Sequence, residues 1–160
     1  MSRTVRHTTA YSVEPEKLLE TMLDPATLRE RHLAQGALEA VVREESRSET
    51  RLVQVVEATE HPRTKTGGLD KSRTVKSTSR YEWDLPARRC QWRYRSPEDD
   101  RIQIGGSFHA VAAGSGSELR VEVEVKVGIP LLGRVIEPFI AADVEKFMKS
   151  YQPRVKAQGS

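Results

Sequence analysis

Asp143 is the residue of this sequence whose position most strongly suggests chemistry. It lies four residues after Phe139 and four before Phe147, near the middle of an apolar helical face. A carboxylate removed from water is costly unless it is paired or hydrogen-bonded. Asp143 is therefore either a polar anchor or an acid inside a cavity, or a residue without such a role, which reaches solvent because Pro138 rotates the helix or is satisfied by an inward Tyr or Arg. We favour the second interpretation.

The histidines add one candidate partner, His7, which shares strand parity with Tyr11 and is expected to face inward. A catalytic triad would require His7 to meet Ser77 or Ser79 and Asp143. His-x-His, His-x-x-x-His and Cys-x-x-Cys spacings are all missing, and so are phosphate-loop, nucleophile-elbow and dinucleotide fingerprints. We therefore assign no catalytic residue, no metal ligand and no cofactor.

Composition favours a globular chain and argues against several other classes. Hydrophobic residues make up 37% of the 160 residues and charged residues 31%, and no apolar run approaches the roughly 20 residues of a membrane span. The net charge of +3 comes from basic residues that mostly alternate with acids, so no nucleic-acid partner is expected. The basic stretch 61–76 is predicted to be a solvated hairpin loop, with phosphate or membrane contact as the alternative. Cys90, the only cysteine, is predicted to be buried, and the chain to be cytoplasmic.

The order of elements follows from the spacing of apolar residues. Residues 3–13 alternate as a first strand, and Pro15 and then Asp24-Pro25 are helix-start signals for two short helices that end by Gly36. A long final helix is predicted from about 131 to 155, kinked or divided at Pro138. Between these helices the apolar period is two, which predicts six strands: 37–44, 51–59, 73–84, 89–95, 101–112 and 118–128.

The stretch "ELRVEVEVKVGIPLLGRVIEPFI" shows how the last two elements meet. Every second residue is apolar from Leu119 to Val127, whereas after Gly128 and Pro130 the apolar residues fall three and four apart. The chain is therefore expected to turn at Gly128 and Pro130 and to fold its helix back over the sheet. The prediction is a single α+β domain over 1–160, with a curved six- to seven-stranded antiparallel sheet, two short N-terminal helices and a long C-terminal helix across it.

This pattern resembles the helix-grip fold of the START-like superfamily, also called SRPBCC or Bet v 1-like. More specifically, the run from 121 to 147 looks like the strand-to-helix ending of the DUF2505 family. Gly128-Ile129 and Pro138 depart from that family's pattern. The resemblance implies a fold with a cavity between sheet and helix, and it implies no activity, because the family has no established function. The matching residues are Val123, Val125, Lys126, Val127, Pro130, Leu131, Gly133, Ile136, Glu137, Phe139 and Ile140.

The leading functional hypothesis is a non-enzymatic domain that binds a small hydrophobic or amphipathic, lipid-like molecule between sheet and helix. Strand parity and the helical wheel predict which side chains would line the site, although a filled core would bury the same residues. One alternative is a cyclase- or hydratase-type enzyme that uses His7 and Asp143 as its acid–base pair. Another is a protein-interaction module, and the sequence sets no oligomeric state. The predicted ligand-binding residues are Tyr81, Trp83, Trp92, Tyr94, Phe108, Phe139, Asp143 and Phe147.

Overall fold

Alternating apolar and polar residues build a seven-stranded sheet, and three helices pack against one of its faces. The computed structural model describes residues 2–62, 64, 68–97, 101–128 and 133–150. Neighbouring strands are antiparallel throughout, in the order β1-β7-β6-β5-β4-β3-β2. The elements are β1 (Ser2–Tyr11), α1 (Pro15–Leu23), α2 (Pro25–Ala34), β2 (Glu39–Arg47), β3 (Arg51–Glu60), β4 (Val75–Asp84), β5 (Arg89–Arg95), β6 (Ile102–Ala113), β7 (Gly116–Val127) and α3 (Gly133–Ser150).

The predicted order of elements is confirmed, and the predicted strand ends differ from the observed ones by at most three residues. Both short helices begin at a proline, where the missing N–H costs no helical hydrogen bond. The long helix starts at Gly133 among the described residues and is not divided at Pro138. The rest of its predicted range, 131–132 and 151–155, lies outside the described residues.

The two faces of the sheet differ in chemistry. In β4 every second side chain, from Val75 to Trp83, is buried against the helices. The opposite face carries charged residues in ion pairs, such as Arg6 with Glu122 at 2.9 Å. Exposed pairs of this kind contribute little to stability, so the fold depends on the inner face.

The inner face holds two separate apolar clusters. The first lies under α1 and α2 and includes Leu18, Leu28 and the rings of β4 and β6. The second lies under α3, where Ile136 and Ile140 pack against valines of β7. Trp92 of β5 and Val121 of β7 contact both clusters, so they mark the junction between them.

Helix α3 lies over β1 and β7, at one edge of the sheet. A Cβ at Gly133 would lie 2.8 Å from the Val127 carbonyl oxygen, so this close approach of the helix start to β7 requires glycine. Glu137, almost fully buried, lies 3.8 Å from the Arg3 guanidinium of β1. The helix is therefore fixed at its start and along the flank that faces the edge strand.

The prediction that Phe139 faces the sheet is wrong, because its side chain is 49% exposed. Each residue of an α-helix turns by about 100°, so Phe139 points away from the direction of Ile140, which is fully buried. The sequence pattern grouped both residues on one broad face. In the position where the helix docks, only the narrower stripe through Ile136 and Ile140 is fully buried.

Adjacent residues of α3 give a matched test of this docking. Ile140→Ala is expected to lower the free energy of unfolding by about 2–5 kcal/mol, because it leaves a cavity against β7. Phe139→Ala removes a larger side chain and should nevertheless cost less than about 1 kcal/mol, because that ring is half in solvent. Equilibrium urea denaturation measures both values. Equal costs, or a larger cost for Phe139→Ala, would contradict the position of α3.

Candidate functional site

Stacked aromatic rings from three neighbouring strands form the centre of the inner face. The rings of Tyr81 in β4, Trp92 in β5 and Phe108 in β6 form a triangle, with ring centroids 6.0–6.2 Å apart. Trp83 lies 6.3 Å from the same Phe108 ring. The residue opposite Trp92 in β6 is Gly106, which adds no side chain to the face. The rings thus form an apolar surface next to a position without a side chain.

Gly106 is required by the close approach of β6 to β7. A Cβ there would lie 1.9 Å from the Glu122 carbonyl oxygen. The strand pairing places Trp92 and Val123 on either side of this glycine. Consequently the side chain of Trp92 has no neighbour directly across β6, and the indole is half-buried where Tyr81 and Phe108 are almost fully buried.

Helix α2 contributes a buried hydrogen bond to the edge of this ring stack. His32 Nε2 lies 2.8 Å from the Tyr81 hydroxyl oxygen, and the two rings meet edge to face. Burial, assisted by the charge of Arg31, lowers the pKa of His32 to about 4. Burial raises the pKa of Tyr81 to about 12, against the opposing effect of Arg31. Both groups are therefore uncharged at neutral pH.

Arg31 brings a positive charge into the same region. Its side chain is buried, and its guanidinium carbon lies 4.0 Å from the centre of the Phe108 ring, a cation–π geometry. Burial raises the pKa of the Cys90 thiol beside it, and Arg31 acts in the opposite direction. Cys90 is a fully buried free thiol, as predicted. It is therefore a small apolar residue of the core and not a nucleophile.

Sequence reasoning assigned no role to His32 or to Arg31. The spacing of Leu28 and His32, four apart, was a usable signal for the histidine. Arg31 stands in a run of charged residues, Arg29-Glu30-Arg31, which is typical of a solvated helix face. No local feature of the sequence indicates that Arg31 is buried and Arg29 is exposed.

Several buried polar atoms have no hydrogen-bond partner among the described residues. They include the indole nitrogen Nε1 of Trp92 and the ring nitrogen Nε2 of His7. An unpaired buried donor costs roughly 1–3 kcal/mol. Gln54 is only half satisfied, because its Nε2 donates to the Leu23 carbonyl at 2.8 Å while its Oε1 is unpaired. The unpaired indole N–H lies at the junction of the two clusters.

The predicted site residues divide into three groups. Tyr81, Trp83 and Phe108 are buried in the ring stack, and Trp92 lies half-buried at the junction. Tyr94 is half-buried, and its hydroxyl donates to the Glu60 carboxylate. The residues of α3 are separate from the stack: Phe147 is half-buried against the second cluster, and Phe139 and Asp143 are exposed.

The inclusion of Asp143 in an enclosed site is therefore wrong, and the interpretation in which it reaches solvent is confirmed. The strand order also excludes the triad. His7 is on β1 and Ser77 and Ser79 are on β4, four strand spacings away. At about 4.8 Å per spacing their backbones are roughly 19 Å apart, too far for direct hydrogen bonds between these side chains.

Metal-ligating residues do not cluster within the described ranges, where no group of three or more His, Cys, Asp or Glu side chains has suitable geometry. Of the helices in the described part of the chain, none has the length and apolarity needed to cross a membrane. The described residues of the inner face bring together stacked rings, a buried cation and a few hydrogen-bonding groups.

The depressed pKa of His32 predicts a specific dependence of stability on pH. As the pH falls from about 6.5 toward 4, the unfolded chain binds a proton at this imidazole that the folded chain does not, so the contribution of His32 to stability is lost over that window. The loss should approach about 3 kcal/mol by pH 4. His32→Gln, which cannot titrate, should show a correspondingly shallower decline in urea denaturation across this range. Parallel declines for the two proteins would refute the burial of an uncharged His32.

Solved structures with the same fold share little sequence with this chain. A protein named TTHA0849 from Thermus thermophilus has 17% identity and a TM-score of 0.57, with 92% of each chain covered. The Zhui aromatase/cyclase from a Streptomyces species also has 17% identity and a TM-score of 0.57, with 99% of each chain covered. Norcoclaurine synthase from Thalictrum flavum, in complex with dopamine and hydroxybenzaldehyde, has 12% identity and a TM-score of 0.60, covering 96% of this chain and 90% of the synthase.

At these identities the structural matches establish a shared fold and no shared activity. None of the curated proteins matches this chain. The family described as "Protein of unknown function (DUF2505)" matches residues 6–156, which include all seven strands and the described helices apart from the first residues of β1. The chain therefore belongs to the DUF2505 family, and its structure is the helix-grip fold of the START-like (SRPBCC, Bet v 1-like) superfamily.

Proposed function

We propose that this protein binds a small apolar molecule with an aromatic body at the junction between the two helix layers. The observation that carries the proposal is Trp92. Its ring is stacked on Tyr81 and Phe108 but is only half-buried, and its indole N–H has no acceptor among the described residues. Small-molecule sites typically combine a largely apolar lining with a few placed polar groups. A ligand stacked here would cover the exposed part of the indole, and a polar substituent at the ring edge would accept the hydrogen bond of the in-plane N–H.

Two further features support binding in this region. Apolar side chains from opposite sides meet at the junction, since Val121 and Trp92 contact both clusters. A protein of the same fold, norcoclaurine synthase, holds two small aromatic molecules, dopamine and hydroxybenzaldehyde. The likeness is one of fold, so it supports the choice of probe and does not identify the ligand.

Catalysis has weaker support than binding. The cyclase- or hydratase-type hypothesis relied on His7 and Asp143 as an acid–base pair inside one cavity. Asp143 is exposed on α3, so this pair loses its acid. His32 and Tyr81 form another titratable pair on the inner face. Both are uncharged at neutral pH, and they are hydrogen-bonded to each other. We therefore propose a binding protein, located in the cytoplasm, where its buried free thiol would remain reduced.

Phenylnaphthylamine, a neutral aromatic probe whose fluorescence rises in apolar surroundings, tests the proposal directly. We expect saturable binding with one site per chain. Val121→Phe places a ring into the junction and should weaken probe binding about 10-fold or more, a change of about 1.4 kcal/mol. Val111→Phe is the control. It makes the same substitution in β6, where Val111 has the opposite parity to the buried Phe108 and lies on the outer face, so probe binding should be unchanged.

Denaturation of the same variants separates an open junction from a filled core. If the junction has room, Val121→Phe should cost less than about 1 kcal/mol of stability, whereas a filled interior would make it cost about 1–3 kcal/mol through overpacking. Wild-type protein that shows no saturable binding, together with a strongly destabilised Val121→Phe variant, would overturn the proposed function.

A further inference from the structure

The two outermost strands of the sheet, β1 and β2, carry different patterns of charge. On β1 the charged side chains are Arg3 and Arg6, which are both basic, so two copies of this edge would repel each other. Like charges on an edge strand are a common protection against pairing with another chain. On β2 acidic and basic side chains occur together, over the segment Glu39–Arg47. The edge formed by β2 is therefore the one that tolerates a second strand.

Val41 lies in the middle of the regular part of β2, and its side chain is 55% exposed. A bulge after Glu44 ends the regular pairing of β2 with β3, so the regular edge runs from Glu39 to Glu44. Alternate side chains of a strand share a face. Because Ala40 is buried on the inner face, Glu39, Val41 and Arg43 lie together on the outer face. This edge thus presents an acid, an exposed valine and a base in a row.

Glu39 and Arg43 have no ion-pair partner among the described residues, in contrast to the rest of β2. The other charged residues of the strand form ion pairs: Glu44 with Arg47, and Glu45 with Arg80. Four residues of a strand span about 13 Å, so Glu39 and Arg43 do not pair with each other across Val41. A strand laid against this edge would bring a partner to each of the two charges.

We propose that β2 pairs antiparallel with β2 of a second copy of this chain, around a two-fold axis at Val41. In this register Val41 lies opposite the same valine of the second copy, and Glu39 of each copy lies opposite Arg43 of the other. Apolar pairs and opposite charges placed directly across two strands stabilise their pairing. The segment from 39 to 43 is therefore complementary to itself when two copies run in opposite directions.

Helix α2 directs its buried side chains away from this edge. His32, for example, reaches inward to the Tyr81 hydroxyl of β4. Arg29 contacts β2 itself, where its Nε donates to the Ala40 carbonyl oxygen at 3.2 Å. A carbonyl oxygen has two lone pairs, so it can accept a second hydrogen bond from a partner strand. The proposed pairing is independent of ligand binding, because two strands separate β2 from β5, which carries Trp92.

Sedimentation velocity measures the association directly and needs no ligand. Between about 1 and 500 µM the wild-type protein should change from monomer to dimer, with a dissociation constant on the order of 10–100 µM. The affinity is expected to be modest, because pairing over the short regular edge Glu39–Glu44 buries less surface than a standard interface of about 1,600 Å².

Reversal of either charge tests the register. Glu39→Arg places two pairs of bases opposite each other in the dimer, and Arg43→Glu places two pairs of acids. Each variant should weaken the dimer about 10-fold or more. The two variants change the net charge of +3 in opposite directions, so a general effect of net charge would not weaken both. An equimolar mixture of the two restores both opposite-charge pairs and should form a heterodimer about as stable as the wild-type dimer.

Arg95→Glu is the matched control. It reverses an exposed arginine of β5, an inner strand of the sheet, where no ion pair with the described residues is broken. It should change the dissociation constant by less than about 2-fold. Urea denaturation of each variant confirms that it is folded at the temperature of the sedimentation run.

Several results would overturn the inference. One is a wild-type protein that stays monomeric over the whole concentration range. Another is a dimer that neither charge reversal weakens, because such a dimer forms through a different surface. A mixture of the two folded variants that stays monomeric excludes the register centred on Val41, and with it the inference. Assemblies larger than a dimer also contradict it, since a two-fold contact closes after two copies. A heterodimer formed from two variants that are monomeric alone supports it.

Discussion

The width of the sheet relative to one helix is the constraint on which the rest of this structure depends. Seven strands at about 4.8 Å spacing span roughly 29 Å, whereas a helix with its side chains is only about 10–12 Å across. Helix α3 therefore covers β1 and β7 and leaves the middle strands to other groups. Helices α1 and α2 cover part of the remainder, and the two layers meet at Trp92 and Val121. The junction follows from geometry, because two layers cover one curved face.

Covering the middle strands with α2 explains the polar chemistry of the interior. Helix α2 has ten residues and few apolar ones, and its buried positions include Arg31 and His32 beside Leu28. Each polar group finds compensation in the aromatic rings below: His32 bonds to the Tyr81 hydroxyl, and Arg31 lies over Phe108. Replacing either aromatic residue by an aliphatic one would preserve apolar area and remove this compensation. The rings therefore stabilise both the core and the buried polar groups of the helix that covers it.

The architecture was predictable from the sequence, because period two in the strands and period 3.6 in the helices are strong local signals. The same parity argument correctly predicted Tyr81, Trp83 and Phe108 inside. It failed for Phe139, since a helical wheel gives the width of an apolar face but not the direction in which the helix docks. The sequence pattern could not predict the burial of Arg31, for a different reason. Its burial depends on a ring that is 77 residues away in sequence and comes close only when the sheet has formed.

The position of α3 also gives its two flanks different roles. Glu137 faces the edge strand, where it lies near Arg3. Phe139, Asp143 and Phe147 follow one another at intervals of four residues along another side of the helix, and none of the three is fully buried. Phe147 contacts the second cluster there, while Phe139 keeps about half of its surface exposed. The stripe through Ile136 and Ile140 therefore holds the helix against β7, and the Phe139 ring adds little to that contact.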